Sequence, residues 1–154
     1  MNRQEVMELA KELSNKPQIC LLATISEEGL PEIRALENMR YQEKYDGHFA
    51  KVIAETEENP LAVYMSTNTS SEKIKQINKN DNVAIYFCIP KEYKGVMLQG
   101  NIATINDMEF KKKIWHDCSL KFYPSGYTDP DFTLLKLTPK HLKVWYKGIH
   151  ELEL

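Results

Sequence analysis

Two apolar segments separated by four residues constrain this chain more than any other feature. "ICLLATI" (Ile19–Ile25) is an almost unbroken apolar run, "SEEG" follows as a turn, and "LPEIRALENM" then alternates. In that second run Arg34, Leu36 and Asn38 point one way and Ile33, Ala35 and Met39 the other. A parallel partner would need a crossover of a dozen or so residues. The pair is therefore read as an antiparallel hairpin.

Further strand-like runs follow: "LAVYM", "VAIYFCI", the long "VMLQGNIATI", "FTLLKL" and "HLKVWY". Helical signals are few. Asn2 and Glu5 stand in a capping-box relation, and Val6, Leu9, Ala10 and Leu13 recur at helical spacing, which predicts a helix over residues 3–14 ended by Asn15 and Pro17. Ile74 and Ile77 give a second short helix its apolar side. Asn106 and Glu109 form a capping pair for a third, on which Met108, Trp115 and Cys118 share one face. Residues 40–60 are polar and patternless, an excursion with room for a short helix or a lid. Six or so strands with hairpin connections and three short helices predict a mainly β chain, a small antiparallel barrel decorated by helices. The order does not follow βαβ units, which argues against a doubly wound sheet.

The 154 residues, 42% hydrophobic and 27% charged, suit one domain over 1–154 with a core that needs no disulfide or metal staple. A net charge of −2 offers no global field for nucleic acid or an anionic membrane. Lys111, Lys112 and Lys113 read as a solvated helix face. Cys20, Cys88 and Cys118 lie far apart without metal-ligand spacing, as free thiols in a reducing cytoplasm would. The start has no signal-peptide apolar region and no run could span a bilayer, so a cytoplasmic protein is expected. No repeat, linker or low-complexity segment is evident.

The stretch "STNTSSEK" (Ser66–Lys73) concentrates hydroxyl and amide groups ahead of a lysine, and two readings are open. Thr69 and Glu72 have the spacing of a capping box. The same helix start offers free N–H groups and a positive dipole end to a phosphate, with Ser and Thr hydroxyls as further donors and Lys73 as the charge. Arg34, sharing a strand face with Leu36, is costly to bury unless it meets an anion. Convergence of Arg34 and Lys73 would specify a phosphate monoester.

"RAL" on the second strand, "STNTSSEKIKQINKNDNVAIYF" and "GVMLQGNIATI" together resemble the flavin-binding split barrel of pyridoxamine 5′-phosphate oxidase and its relatives. The run "IWHDCSLKFYPSGYTDPDFTLLKLTPKHLKVWY" is similar to the bacterial general stress protein branch, in which a Trp, a Pro/Gly/Asp loop, an "LLKxxP" strand and a closing Trp recur in this order. The resemblance spans residues 5–146 and implies a six-stranded split β-barrel and a homodimer holding FMN in clefts between subunits. It implies that Arg34, Ser71 and Lys73 meet the FMN phosphate and that Ser66 and Thr67 line the ribityl or ring side. Ala35 and Leu36 would run beside the flavin. Gln99 and Trp145 would be reached from the other subunit, with core packing the alternative for Trp145.

The departures bear on the reaction. The oxidase has an arginine where Glu72 stands and a lysine where Met39 stands, although Arg40 follows, and its basic C-terminal substrate segment is replaced by "GIHELEL". These differences argue against a pyridoxine phosphate substrate. The resemblance thus implies an FMN-binding flavoprotein, an oxidoreductase on an unidentified small molecule. A flavin-binding stress-response module without turnover and a haem-binding relative are the alternatives. Haem would need an axial histidine, and His48, His116, His141 and His150 each read as structural or exposed. Tyr41 and Tyr45 are available to border a substrate pocket. Trp115 reads as helix packing.

Overall fold

The computed structural model describes residues 1–154. Helix α1 (Arg3–Asn15) is opened by the expected box: Asn2 Oδ1 accepts from the Glu5 N–H, and the Glu5 carboxylate accepts from the Asn2 N–H. The hairpin follows as β1 (Ile19–Ile25) and β2 (Pro31–Glu37), antiparallel with Leu22 opposite Arg34. The excursion at 40–60 contains α2 (His48–Thr56), whose Phe49, Val52 and Ile53 are buried. Then come β3 (Val63–Asn68), α3 (Glu72–Lys79), β4 (Asn82–Ile89), β5 (Lys94–Thr104), α4 (Met108–Ile114), β6 (Phe132–Trp145) and β7 (Ile149–Glu153). No helix is long and apolar enough to cross a membrane.

The strands pair antiparallel in the order β2-β1-β4-β5-β6-β3, with β7 added to β6. Six strands therefore curl into a half-barrel whose ends, β2 and β3, are not hydrogen-bonded to each other. Cys20 and Leu22 of β1, Ile85 and Phe87 of β4, and Val96 and Leu98 of β5 fill the interior, closed at one end by Val6, Ala10 and Leu13 of α1. A second core lies outside the barrel, where α2 and α4 cover Tyr64 of β3 and Phe132 and Leu134 of β6. Most of β3 and the first half of β6 are thus buried on both sides, which fits their nearly continuous apolar runs.

Several expectations change. "FTLLKL" and "HLKVWY" are one strand of 14 residues, because a β-bulge at Gln99/Gly100 absorbs Pro139 opposite Gly100. The terminal "IHELE" is a further strand, joined to β6 by a turn in which Lys147 and Gly148 have positive φ. Asp107 rather than Asn106 caps α4, accepting from the Glu109 and Phe110 N–H groups. Trp115 and Cys118 lie beyond that helix and pack on the second core, whereas Met108 is 43% exposed. Trp115 packs edge-on against Phe132, as expected of a packing residue. Lys111 is not wholly solvated, since its ammonium donates to the Phe132 carbonyl at 3.3 Å.

All three cysteines are free thiols, with Cys20 buried and Cys88 and Cys118 half-buried. Burial pushes the Cys20 thiol up to about 12. Ellman's reagent at pH 8 should therefore reach Cys88 and Cys118 in the native chain and Cys20 only after denaturation. The unfolded thiol ionises near pH 9 and the folded one near 12. Its stabilising contribution is complete below pH 9 and is lost as pH rises, by up to about 1.4 kcal/mol per pH unit. Thermal melts of wild type against Cys20→Ala across that window check the sign.

Candidate functional site

The gap between β2 and β3 opens into a cleft of about 530 Å³. One wall is Ala35, Leu36 and Glu37 of β2; the other is Ser66, Thr67 and Asn68 of β3. Lys73 stands at one end and Lys44 and Tyr45 at the other, while Cys118, Ser119 and Lys121–Tyr123 complete the lining, with Tyr123 Oη donating to Asn68 Oδ1 at 2.9 Å. The split in the sheet creates this space, because two neighbouring strands with unpaired facing edges leave room for a ligand rather than for another strand.

At the first end, Lys73 lies in the opening turn of α3 and donates to Thr67 Oγ1 at 2.6 Å. Burial and then the nearby Arg34 charge lower the Lys73 pKa. Two like charges held together and partly desolvated are unfavourable unless an anion joins them. The expected Thr69–Glu72 capping box is not formed. Ser71 is the N-cap residue, and Thr69 Oγ1 instead meets Thr133 Oγ1 of β6 at 2.6 Å, while Glu72 pairs with Lys75. The Ser71 hydroxyl makes no capping bond, and its oxygen is buried without a partner. A buried hydroxyl left unsatisfied at a helix N-terminus is costly for the free chain and is suited to an anion.

Arg34 lies behind this end rather than in the cleft wall. Its guanidinium donates to Thr24 Oγ1 (2.6 Å), the Glu32 carbonyl (3.1 Å) and Gln76 Oε1 (3.2 Å), with Glu32 Oε2 at 3.5 Å. Thr24 in turn donates to Gln76 Oε1 at 2.5 Å, and Gln76 Nε2 to Glu32 at 2.8 Å. Burial lowers the Arg34 pKa. Its near partners are mostly neutral, so much of its charge is left to act on what binds at Lys73. Gln76 and Thr24 were missed from sequence; the trace of Gln76 is an amide between Ile74 and Ile77 on the buried side of α3.

Of the sequence candidates, Ala35, Leu36, Ser66, Thr67 and Lys73 line the cleft together. Ser71 and Arg34 support its charged end. Gln99 and Trp145 do not reach it within one chain: Gln99 lies by Ala84 and His141, and Trp145 packs edge-on against Tyr86 at 5.7 Å. Arg40 points away as well. Its guanidinium donates to Asn15 Oδ1 and to the Ala62 and Pro60 carbonyls, and burial pushes its pKa down to about 10. It therefore ties the end of α1 to the start of β3 rather than replacing the missing lysine.

The far end is built on an unusual turn. Tyr45, Asp46 and Gly47 have φ of 52°, 53° and 67°, three successive left-handed residues of which two carry side chains. Each non-glycine member costs about 1 kcal/mol or more. The turn brings Tyr45 to the cleft, stacked on His116 with ring centroids 4.8 Å apart. Lys44 is paired with Glu37 at 3.0 Å, and that hydrogen bond holds its pKa up. Tyr41, by contrast, bonds Glu43 on the surface. No histidine is among the residues lining the cleft.

An open antiparallel barrel with a cationic helix start beside its split defines the split-barrel class. The chain belongs to the pyridoxamine 5′-phosphate oxidase like family, which it matches over residues 4–152. A protein from Clostridium acetobutylicum related to general stress protein 26 of the pyridoxinephosphate oxidase family is similar at 26% identity. It aligns with TM-score 0.76 over 100% of this chain and 97% of that one. A pyridoxamine 5′-phosphate oxidase-related, FMN-binding protein from Nostoc punctiforme aligns at TM-score 0.64 and 15% identity, over 98% and 89% of the two chains. A heme-binding protein from Mycobacterium smegmatis aligns at TM-score 0.68 and 15% identity, over 99% and 60%. No curated protein matches the sequence.

Proposed function

We propose that the protein is a flavoprotein that holds FMN in the split between β2 and β3 and exchanges electrons with a small molecule. The observation that carries this reading is the buried, unpartnered Ser71 hydroxyl beside Lys73, with the Arg34 charge behind it. Lys73, Ser71 and the first N–H groups of α3 would hold the FMN phosphate, and Arg34 would strengthen the field there. Ser66 and Thr67 would meet the ribityl chain, with Ala35 and Leu36 beside the ring. The flavin supplies the redox chemistry; the protein binds it, orients it and excludes water. With Arg40 committed elsewhere and Lys44 paired with Glu37, the cleft beyond the Lys73 end keeps only one unpaired lysine, too few donors for a second phosphate on the substrate.

The homodimer belongs to the same reading. The outer face of the half-barrel carries Ile33 and Ala35 on β2, Leu21 and Ala23 on β1, and Ala84 and Tyr86 on β4, adjacent in register. Ile33 is 69% exposed. A contiguous apolar sheet face is suited to a second copy of the chain. Gln99 pairs with Ala84 and Trp145 touches Tyr86, so both belong to that face and would approach the partner's cleft.

The test is the absorption spectrum of the purified protein, recorded as isolated and again after incubation with FMN and removal of unbound flavin by gel filtration. Flavin bands support the reading; a Soret band would replace it with haem, and a colourless protein that ignores FMN would remove both. Stopped-flow reduction by NADH or NADPH then separates turnover from passive binding. Ser71→Ala should weaken FMN binding about fivefold, the net worth of roughly 1 kcal/mol for one hydrogen bond. Chemical denaturation should find the free variant at least as stable as wild type, because a buried hydroxyl without a protein partner is removed.

A further inference from the structure

We propose that the far end of the cleft, between Tyr45 and the Lys121–Phe122 pair, binds a planar aromatic monoanion such as an aromatic carboxylate. This rests on the flavin reading for its role as a substrate site, since it names what would lie beside the ring. Phe122 is 65% exposed, yet it lines the cleft and carries the Lys121 ammonium 4.9 Å from its ring centroid. An exposed aromatic with an ammonium over its ring offers a flat apolar surface beside a positive charge. Tyr45 provides the second aromatic wall, held there by the left-handed turn and braced by His116.

Charge fixes the class further. Three lysines line the cleft, Lys44, Lys73 and Lys121, against Glu37. Lys44 is neutralised by Glu37, and Lys73 belongs to the phosphate end. Lys121 alone remains for a ligand at the far end, having no carboxylate within ion-pair distance. One free cation suits one negative charge. A phosphate dianion would need more donors than this end supplies.

The experiment is calorimetric titration of FMN-loaded and flavin-free protein with 2-naphthoate, using 2-naphthamide as the neutral counterpart. FMN binding is measured separately by flavin fluorescence. Naphthoate should bind, the amide should bind about tenfold more weakly, and affinity should fall as salt rises. Lys121→Gln should weaken naphthoate about tenfold and Phe122→Ala about fivefold, while Lys112→Gln leaves it unchanged. Both Lys121 and Phe122 are peripheral, so their variants should fold. Naphthoate that fails to bind, or binds all variants equally, overturns the proposal even if FMN binds. Naphthoate binding that depends on Lys121 in a protein that rejects FMN upholds the anion site and overturns its role beside a flavin.

Discussion

Replacing Lys73 by alanine is expected to weaken FMN binding by at least about tenfold, the loss of one charge-assisted hydrogen bond worth about 1.5–3 kcal/mol. The free protein should not suffer equally. Lys73 has Thr67 Oγ1 as its only hydrogen-bond partner, and it sits in the repulsive field of Arg34, which helps to depress its pKa. Removing it relieves that repulsion, so the variant should unfold at an unchanged or slightly higher denaturant concentration. Such a divergence between stability and affinity marks a side chain kept for a ligand. Lys112→Ala is the appropriate control, because Lys112 is exposed, whereas Lys111 contacts the Phe132 carbonyl and ring. Flavin fluorescence titration gives the affinities, and equal losses for Lys73→Ala and Lys112→Ala would remove the phosphate cradle.

The second large effect concerns the frame that holds the cleft open. Gly100→Ala is expected to destabilise the fold by about 2–3 kcal/mol or more, lowering the melting temperature by roughly 5–10 °C. A Cβ at Gly100 would lie 2.1 Å from the Thr138 carbonyl oxygen and 2.9 Å from Pro139 Cα. Both are backbone atoms of β6, the strand that carries β3 on its first half and β7 on its second. Neither can move without disturbing the pairing of β6 with β5. Gly126→Ala, in open space at φ +76°, should cost only the left-handed penalty of about 1–2 kcal/mol. Differential scanning calorimetry of the pair separates backbone collision from loss of glycine freedom.

How far the sequence reveals this structure depends on how local each determinant is. The first hairpin is legible because a four-residue turn and a period-two pattern act within 21 residues, 19–39. The cationic end of the cleft is legible for the same reason, since Thr67, Ser71 and Lys73 lie within one strand-to-helix turn. Its capping was misread because Thr133, 64 residues away, takes the Thr69 hydroxyl. The length of β6 was hidden by Pro139, which reads as a break until the bulge opposite Gly100 accommodates it. Strand β7 was hidden because "IHELE" alternates with charges and pairs only through a turn at Lys147 and Gly148. The far end was least legible. Nothing local predicts that Tyr45 and Asp46 adopt left-handed backbone, and Lys121 and Phe122 join Tyr45 only through the folding of α2 and α4 onto β3 and β6.

The central claim is that Lys73, Ser71 and the start of α3 hold a flavin by its phosphate. Parallel fluorescence titrations of the flavin-free protein with FMN and with riboflavin test it most directly, because the two ligands share the ring and ribityl chain and differ only in that group. The account predicts FMN binding at least about a hundredfold tighter at low salt, as expected for two or more charge-assisted hydrogen bonds, with the difference narrowed about tenfold or more by Lys73→Ala. Equal affinities for FMN and riboflavin in the wild-type protein would contradict it.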